Sequence, residues 1–109
     1  MATLKDDRTV EQLTTHNWLV VARDRSMSGW GGAAGGASIA AWACRTLPEA
    51  EACEQWVRGR KEMRNVRLVR ESKGYTSRIR GAHVHVYVVD DNHPATQTVR
   101  ALRALGVPQ

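Results

Sequence analysis

Phenylalanine is absent from this 109-residue chain, and cysteine and proline number only two and three. Cys44 and Cys53 are too few for a disulfide framework and form no paired metal motif, so neither bridges nor a structural zinc are expected to hold the fold. A reducing compartment is the default, with a Cys44–Cys53 bridge disfavoured. The opening Met-Ala-Thr-Leu-Lys-Asp-Asp is followed by no apolar stretch long enough for a signal peptide, and no membrane-spanning run exists. The reading therefore predicts a soluble, cytoplasmic protein. No Gly-Lys-Ser/Thr is present, which excludes a P-loop. No glycine-flanked nucleophile or Ser/His/Asp spacing stands out, and Asp90-Asp91 reads as a turn rather than an acid–base pair. The expectation is a protein that binds and does not catalyse, with no cofactor and no metal.

What is present is ordinary in amount and uneven in distribution. Apolar residues make up 42% and charged residues 25%, the proportions of a globular domain rather than a disordered chain. The length fits one core, so we expect one α+β domain over residues 17–109, behind a polar segment 1–16. Four Trp stand against two Tyr, which leaves room for some indoles to serve a surface. The net charge is +5, but between Arg58 and Arg80 nine basic residues face only Glu62 and Glu71. The positive charge sits in one segment, and such segments favour anionic partners.

Local signals give the elements. Thr9-Val-Glu-Gln12 has capping-box spacing and predicts a short helix at about 10–15. Trp18–Ala22 reads as a strand. Ser26–Gly36 holds five glycines in eleven residues and reads as a loop. Ser38–Cys44 reads as a strand, because Thr46, Pro48 and Glu49 then supply the cap, first turn and capping-box acid of a helix to about Met63. Asn65–Arg70 alternates as a third strand and Ala82–Val89 as a fourth, with Val84, Val86 and Val88 on one face and His83, His85 and Tyr87 on the other. A last helix spans about 95–105, with Val99, Leu102 and Leu105 on one stripe, closed by Gly106. The order ββαββα predicts a four-stranded antiparallel sheet with both helices on one face and the other face open.

Within the glycine loop, Gly29-Trp-Gly31-Gly-Ala-Ala34 nearly matches a dinucleotide fingerprint. A strand follows it instead of a helix, and no acid lies about twenty positions on outside the next helix, so a structural or partner-binding loop is favoured. Trp30, with Met27 beside it, either folds back as a core plug or projects as an anchor for a protein partner. The stretch from Arg23 to Gly35, with Ala41-Trp-Ala-Cys44 and the helix carrying Glu49-Ala-Glu-Ala52, resembles small uncharacterised proteins of phages and prophages. Those proteins share a Met-Ser-Gly-Trp-Gly-x-Ala-x-Gly signature and a basic segment after the helix. The resemblance covers about residues 17–70 and implies a mobile element in a bacterial host as the setting. It carries no activity.

His83 and His85 are spaced to share a strand face, yet two ligands fall short of a zinc site, and an exposed polar face is favoured. The basic segment is the strongest lead. Arg58, Arg60, Lys61 and Arg64 lie near a helix end, where cations also offset the dipole. Arg67 projects from the third strand, and Arg78 and Arg80 lead into the fourth. If those strands pair, Arg67 shares the open face with His83, His85 and Tyr87, as single-stranded nucleic acid requires. A solvated surface is the competing explanation. The first functional expectation is a mobile-element accessory protein that contacts nucleic acid or a nucleic-acid-bound host complex. The second is a protein-binding inhibitor of host defence, of the anti-CRISPR kind, anchored by Trp30.

Overall fold

The structure, a computed structural model, describes residues 3–24, 37–71 and 82–106. In chain order the elements are β1 Thr3–Asp6, α1 Gln12–Thr15, β2 Trp18–Asp24, β3 Ala37–Cys44, α2 Leu47–Arg58, β4 Met63–Arg70, β5 Ala82–Val88 and α3 Pro94–Ala104. Capping chemistry sets most helix ends. The Gln12 amide donates to Thr9 Oγ1 at 3.2 Å, and the Thr9 amide donates back to Gln12 Oε1 at 2.9 Å, a reciprocal capping box. Thr46 Oγ1 accepts from the Glu49 amide to start α2. The Glu49 carboxylate does not close that box, because it turns to Arg45 at 3.2 Å. Helix α2 stops at Arg58, short of Met63, because Gly59 interrupts it and β4 starts at Met63. Gly106, at φ 77, follows α3 in a conformation that costs glycine little. Among the described residues no helix is long and apolar enough to cross a membrane.

The class is α+β, but the sheet is five-stranded and mixed, in the order β1-β5-β3-β2-β4. This corrects the four-stranded antiparallel expectation. Strand β4 does not form a hairpin with β5. It pairs antiparallel with β2, while β5 pairs parallel with β3 on the far side. Strand β1, in the polar N-terminal segment for which the sequence predicts only a short helix, pairs parallel with β5 and so belongs to the same sheet. The pairing suits β5. Lying between β1 and β3, it has Val84 and Val86 buried on one side and His83 on the other, the two-sided burial of an interior parallel strand.

Both faces of the sheet are apolar at the centre. On the first, Val20, Ala22, Ala40, Trp42 and Cys44 meet Ala50, Cys53 and Val57 of α2 and Ala95 of α3. Small alanines let the helices approach, and indoles supply the volume that phenylalanine does not. Trp42 stacks on Tyr87 at 5.5 Å between centroids and meets Trp56 edge-on at 6.0 Å. On the second face, Leu19, Val21, Ala41, Ala43, Val84 and Val86 form another buried cluster. The expected open face is therefore not open. Full burial of a Leu or Val contributes about 1.5–3 kcal/mol, and alternate residues of β2 bury both ways.

One buried cation ties the two ends of this sheet together. Arg8 has a side chain only 1% exposed, and it pairs with Asp6 at the end of β1 at 2.7 Å and with Glu71 just beyond β4 at 2.7 Å. Its Nη1 also donates to the His16 carbonyl at 3.0 Å. Burial alone would raise the Asp6 carboxyl, but hydrogen bonds from the Arg8 side chain and backbone outweigh it and hold the group below its ordinary value. Arg8→Ala should cost about 3–5 kcal/mol in urea unfolding, because it leaves two carboxylates without their cation. Lys5→Ala on the exposed side of β1 should stay within about 0.5 kcal/mol. Equal effects would remove Arg8 from this role.

Candidate functional site

Among the described residues, the cations of the basic segment fall into two groups, those with acidic or aromatic partners and those without. Arg58 Nη2 donates to Glu54 Oε2 at 3.1 Å and to the Val66 carbonyl at 3.0 Å. Arg60 pairs with Glu62 at 2.8 Å and lies over the Trp56 ring, 5.1 Å from its centroid. Arg70 covers Trp18 at the same distance. These arginines hold the helix end and strand in place. Arg64 and Arg67 have no carboxylate partner among the described residues, and Lys61 has none in the turn before them.

A β-bulge decides where those two point. In a regular strand, residues three apart face opposite ways. Here the register slips, with Val21 opposite Arg67 and Arg23 opposite Arg64, so β4 has one extra residue. Asn65 sits there at φ 55, a left-handed conformation that asparagine tolerates better than most residues. Met63, Val66 and Leu68 consequently pack toward the helices, while Arg64 and Arg67 share the second face. Arg23, directly opposite Arg64, joins them there, and all three are exposed. Arg67 is the diagonal neighbour of Arg23, a relation that sets Cα atoms about 7–8 Å apart. Arg23 lies outside the basic segment, and only the register across β2 and β4 reveals it.

The same register overturns the composite surface expected from the sequence. His83, His85 and Tyr87 sit on the helix-bearing face and Arg67 on the opposite one, so these four residues do not meet. His83 is buried, and His85 and Tyr87 are half-buried, so their side of β5 is not an exposed polar face. His85 stacks on Tyr87 at 3.9 Å, and its Nε2 meets Asp7 Oδ2 at 2.7 Å. Met27, Trp30, Arg78 and Arg80 lie outside the described residues. No group of three or more His, Cys, Asp or Glu side chains that could hold a metal occurs among the described residues. Cys44 and Cys53 are unbridged and fully buried. A hydrogen bond with Cys53 and burial both push the Cys44 thiol up, so it stays protonated. No family model, no curated protein and no solved structure matches this chain.

Two histidines in the helical layer are held neutral. Burial lowers His93, with nearby Asp90 opposing it, and burial lowers His16, reinforced by Arg45. His93 caps α3 by accepting the Ala95 amide on Nδ1 at 3.1 Å. Its buried Nε2 has no hydrogen-bond partner, and its ring meets Trp56 edge-on at 4.8 Å. This geometry suits an N–H···π contact, a weak substitute for a hydrogen bond. Because folding lowers the pKa, the associated stability is complete above the unfolded value of about 6.5 and is lost as pH falls through the folded value. Urea stability should therefore decline from pH 7 toward 5. His93→Asn, which keeps a cap acceptor without a titration, should flatten that decline. An unchanged slope in the variant would clear His93 of the effect.

Proposed function

We propose that the protein binds nucleic acid through the phosphate backbone, without catalysis, using Arg23, Arg64 and Arg67, with Lys61 in the adjoining turn. The observation that carries this reading is the bulge at Asn65, which aligns three exposed guanidiniums on one face with no carboxylate among them. Directly opposed like charges destabilise a sheet, and an anion lying across them reverses the sign of that cost. Protection of an edge strand against aggregation is the rival account of a charged, bulged β4. It does not account for Arg23, which projects from the interior strand β2 opposite Arg64. Arginine also suits the role, since its planar fork matches phosphate oxygens. Contacts of this kind position a duplex or single strand without reading bases. A bacterial mobile element fits such a small accessory domain, and a nucleic-acid-bound host complex presents the same phosphates.

Anisotropy with labelled single- and double-stranded oligonucleotides tests the reading. Binding should be clear at about 50 mM salt and fall steeply as salt rises. Arg23→Ala, Arg64→Ala and Arg67→Ala should each weaken binding to unrelated sequences about equally and lower the duplex salt slope by about one. Arg60→Ala, which removes a guanidinium already neutralised by Glu62, should leave the slope nearly unchanged. Absence of binding at about 50 mM salt would sink the proposal and leave the trio as a contact for an acidic protein or as solubilising surface.

A further inference from the structure

A second group of arginines lies in the helical layer, on the other side of the sheet from Arg23, Arg64 and Arg67. Between the start of α2 and the side of α3 is a cavity of about 340 Å3, lined by Arg45, Thr46, Glu49, Thr96, Arg100 and Arg103. Its volume is at the small end of the range for ligand sites. The charges around it do not cancel. Arg45 meets Glu49 Oε1 at 3.2 Å and Asp91 Oδ1 at 2.9 Å, and Arg100 shares that same Asp91 oxygen at 3.1 Å. Arg103 has no acidic partner among the described residues. Three guanidiniums are thus balanced by two carboxylates, at the positive end of a 12-residue helix.

Glu49 adds a requirement of its own. Its side chain is 6% exposed, and Oε2 is buried without a hydrogen-bond partner, although Oε1 is engaged by Arg45. A buried acceptor left unmet is costly, and a carboxylate oxygen more so than most. The cavity therefore offers cations for an oxyanion and, in its lining, an acceptor in want of a donor. We propose that this cavity binds a small phosphomonoester, with the phosphate on Arg45, Arg100 and Arg103 and a hydroxyl or amino group of the same molecule donating to Glu49 Oε2. A tetrahedral dianion suits three guanidiniums around one cavity better than a planar carboxylate does, since it offers each fork its own oxygen. The adjoining groove between α2 and α3 presents Glu51 and Glu54 instead, so an anion is directed to the arginine-lined side.

Calorimetry on the full chain at low ionic strength tests this, with ribose 5-phosphate, inorganic phosphate and ribose as probes. Ribose 5-phosphate should bind at one equivalent and more tightly than either of the others. Arg103→Ala, at an exposed helix position where folding is not at stake, should weaken it about tenfold or more, the scale of one charge-assisted hydrogen bond. Glu49→Gln should weaken ribose 5-phosphate more than inorganic phosphate, because the sugar carries hydroxyl donors beyond the phosphate group itself. Arg64→Ala should change nothing here, so failure at this cavity is separable from failure of the nucleic-acid reading. The absence of saturable binding, or binding indifferent to Arg103→Ala, would overturn the site. Equal loss for both phosphates in Glu49→Gln would overturn the role given to Oε2.

Discussion

The buried guanidinium of Arg8 is the constraint on which the sheet's closure depends. The chain leaves β1 at one edge and must reach β2, the fourth strand across, before the rest of the fold can follow. Residues 7–17 make that crossing, and Arg8 pins it at both ends, to Asp6 where β1 stops and to Glu71 where β4 stops. The Glu71 amide donates to the Asn17 carbonyl at 2.7 Å, so the same corner is also held by backbone. An ion pair this well buried gains little over an apolar substitute of the same shape, but breaking it is expensive. Arg8 thereby specifies which segment lies at that corner more than it adds to total stability. The short α1 helix has no buried residue of its own, and its position follows from that crossing.

Local chemistry was readable from the sequence, and pairing was not. Thr9 with Gln12, and Thr46 with Pro48, carry their helix starts in four residues, and both caps form. The alternation of Ala82–Val88 likewise shows which residues share a face. Which face meets the helices is a different question, and it has no local signal. It depends on β5 adding to β3 in parallel, when the shorter connection suggested a hairpin with β4. Strand β1 was missed for the same reason. Thr3–Asp6 has no strand pattern of its own and becomes one through β5. At the candidate interface the sequence singled out Arg64 and Arg67 but placed Arg67 beside the wrong rings. Arg23 became visible only through its register with Arg64.

The two faces differ in how they treat charge, and that difference carries the functional argument further than the net charge does. In the helical layer most cations are matched, Arg45 and Arg100 with Asp91, Arg58 with Glu54 and Arg60 with Glu62, and Arg103 is the exception among those described above. Each match has a structural use, such as Arg58 holding the Val66 carbonyl beside the bulge. At the β2–β4 rim of the second face nothing matches Arg23, Arg64 or Arg67 among the described residues. A chain selected only for solubility would gain as much from scattering these charges, since scattered charges repel less. Gathering them has required a left-handed Asn65 and an extra residue in β4. Such conformations persist where surrounding structure enforces them, and they concentrate where a side chain has to be aimed. Arg58 supplies the enforcement: it anchors the carbonyl of Val66, next to Asn65, from the last turn of α2. The helix that completes the apolar core thus also holds the bulge that assembles the exposed arginines.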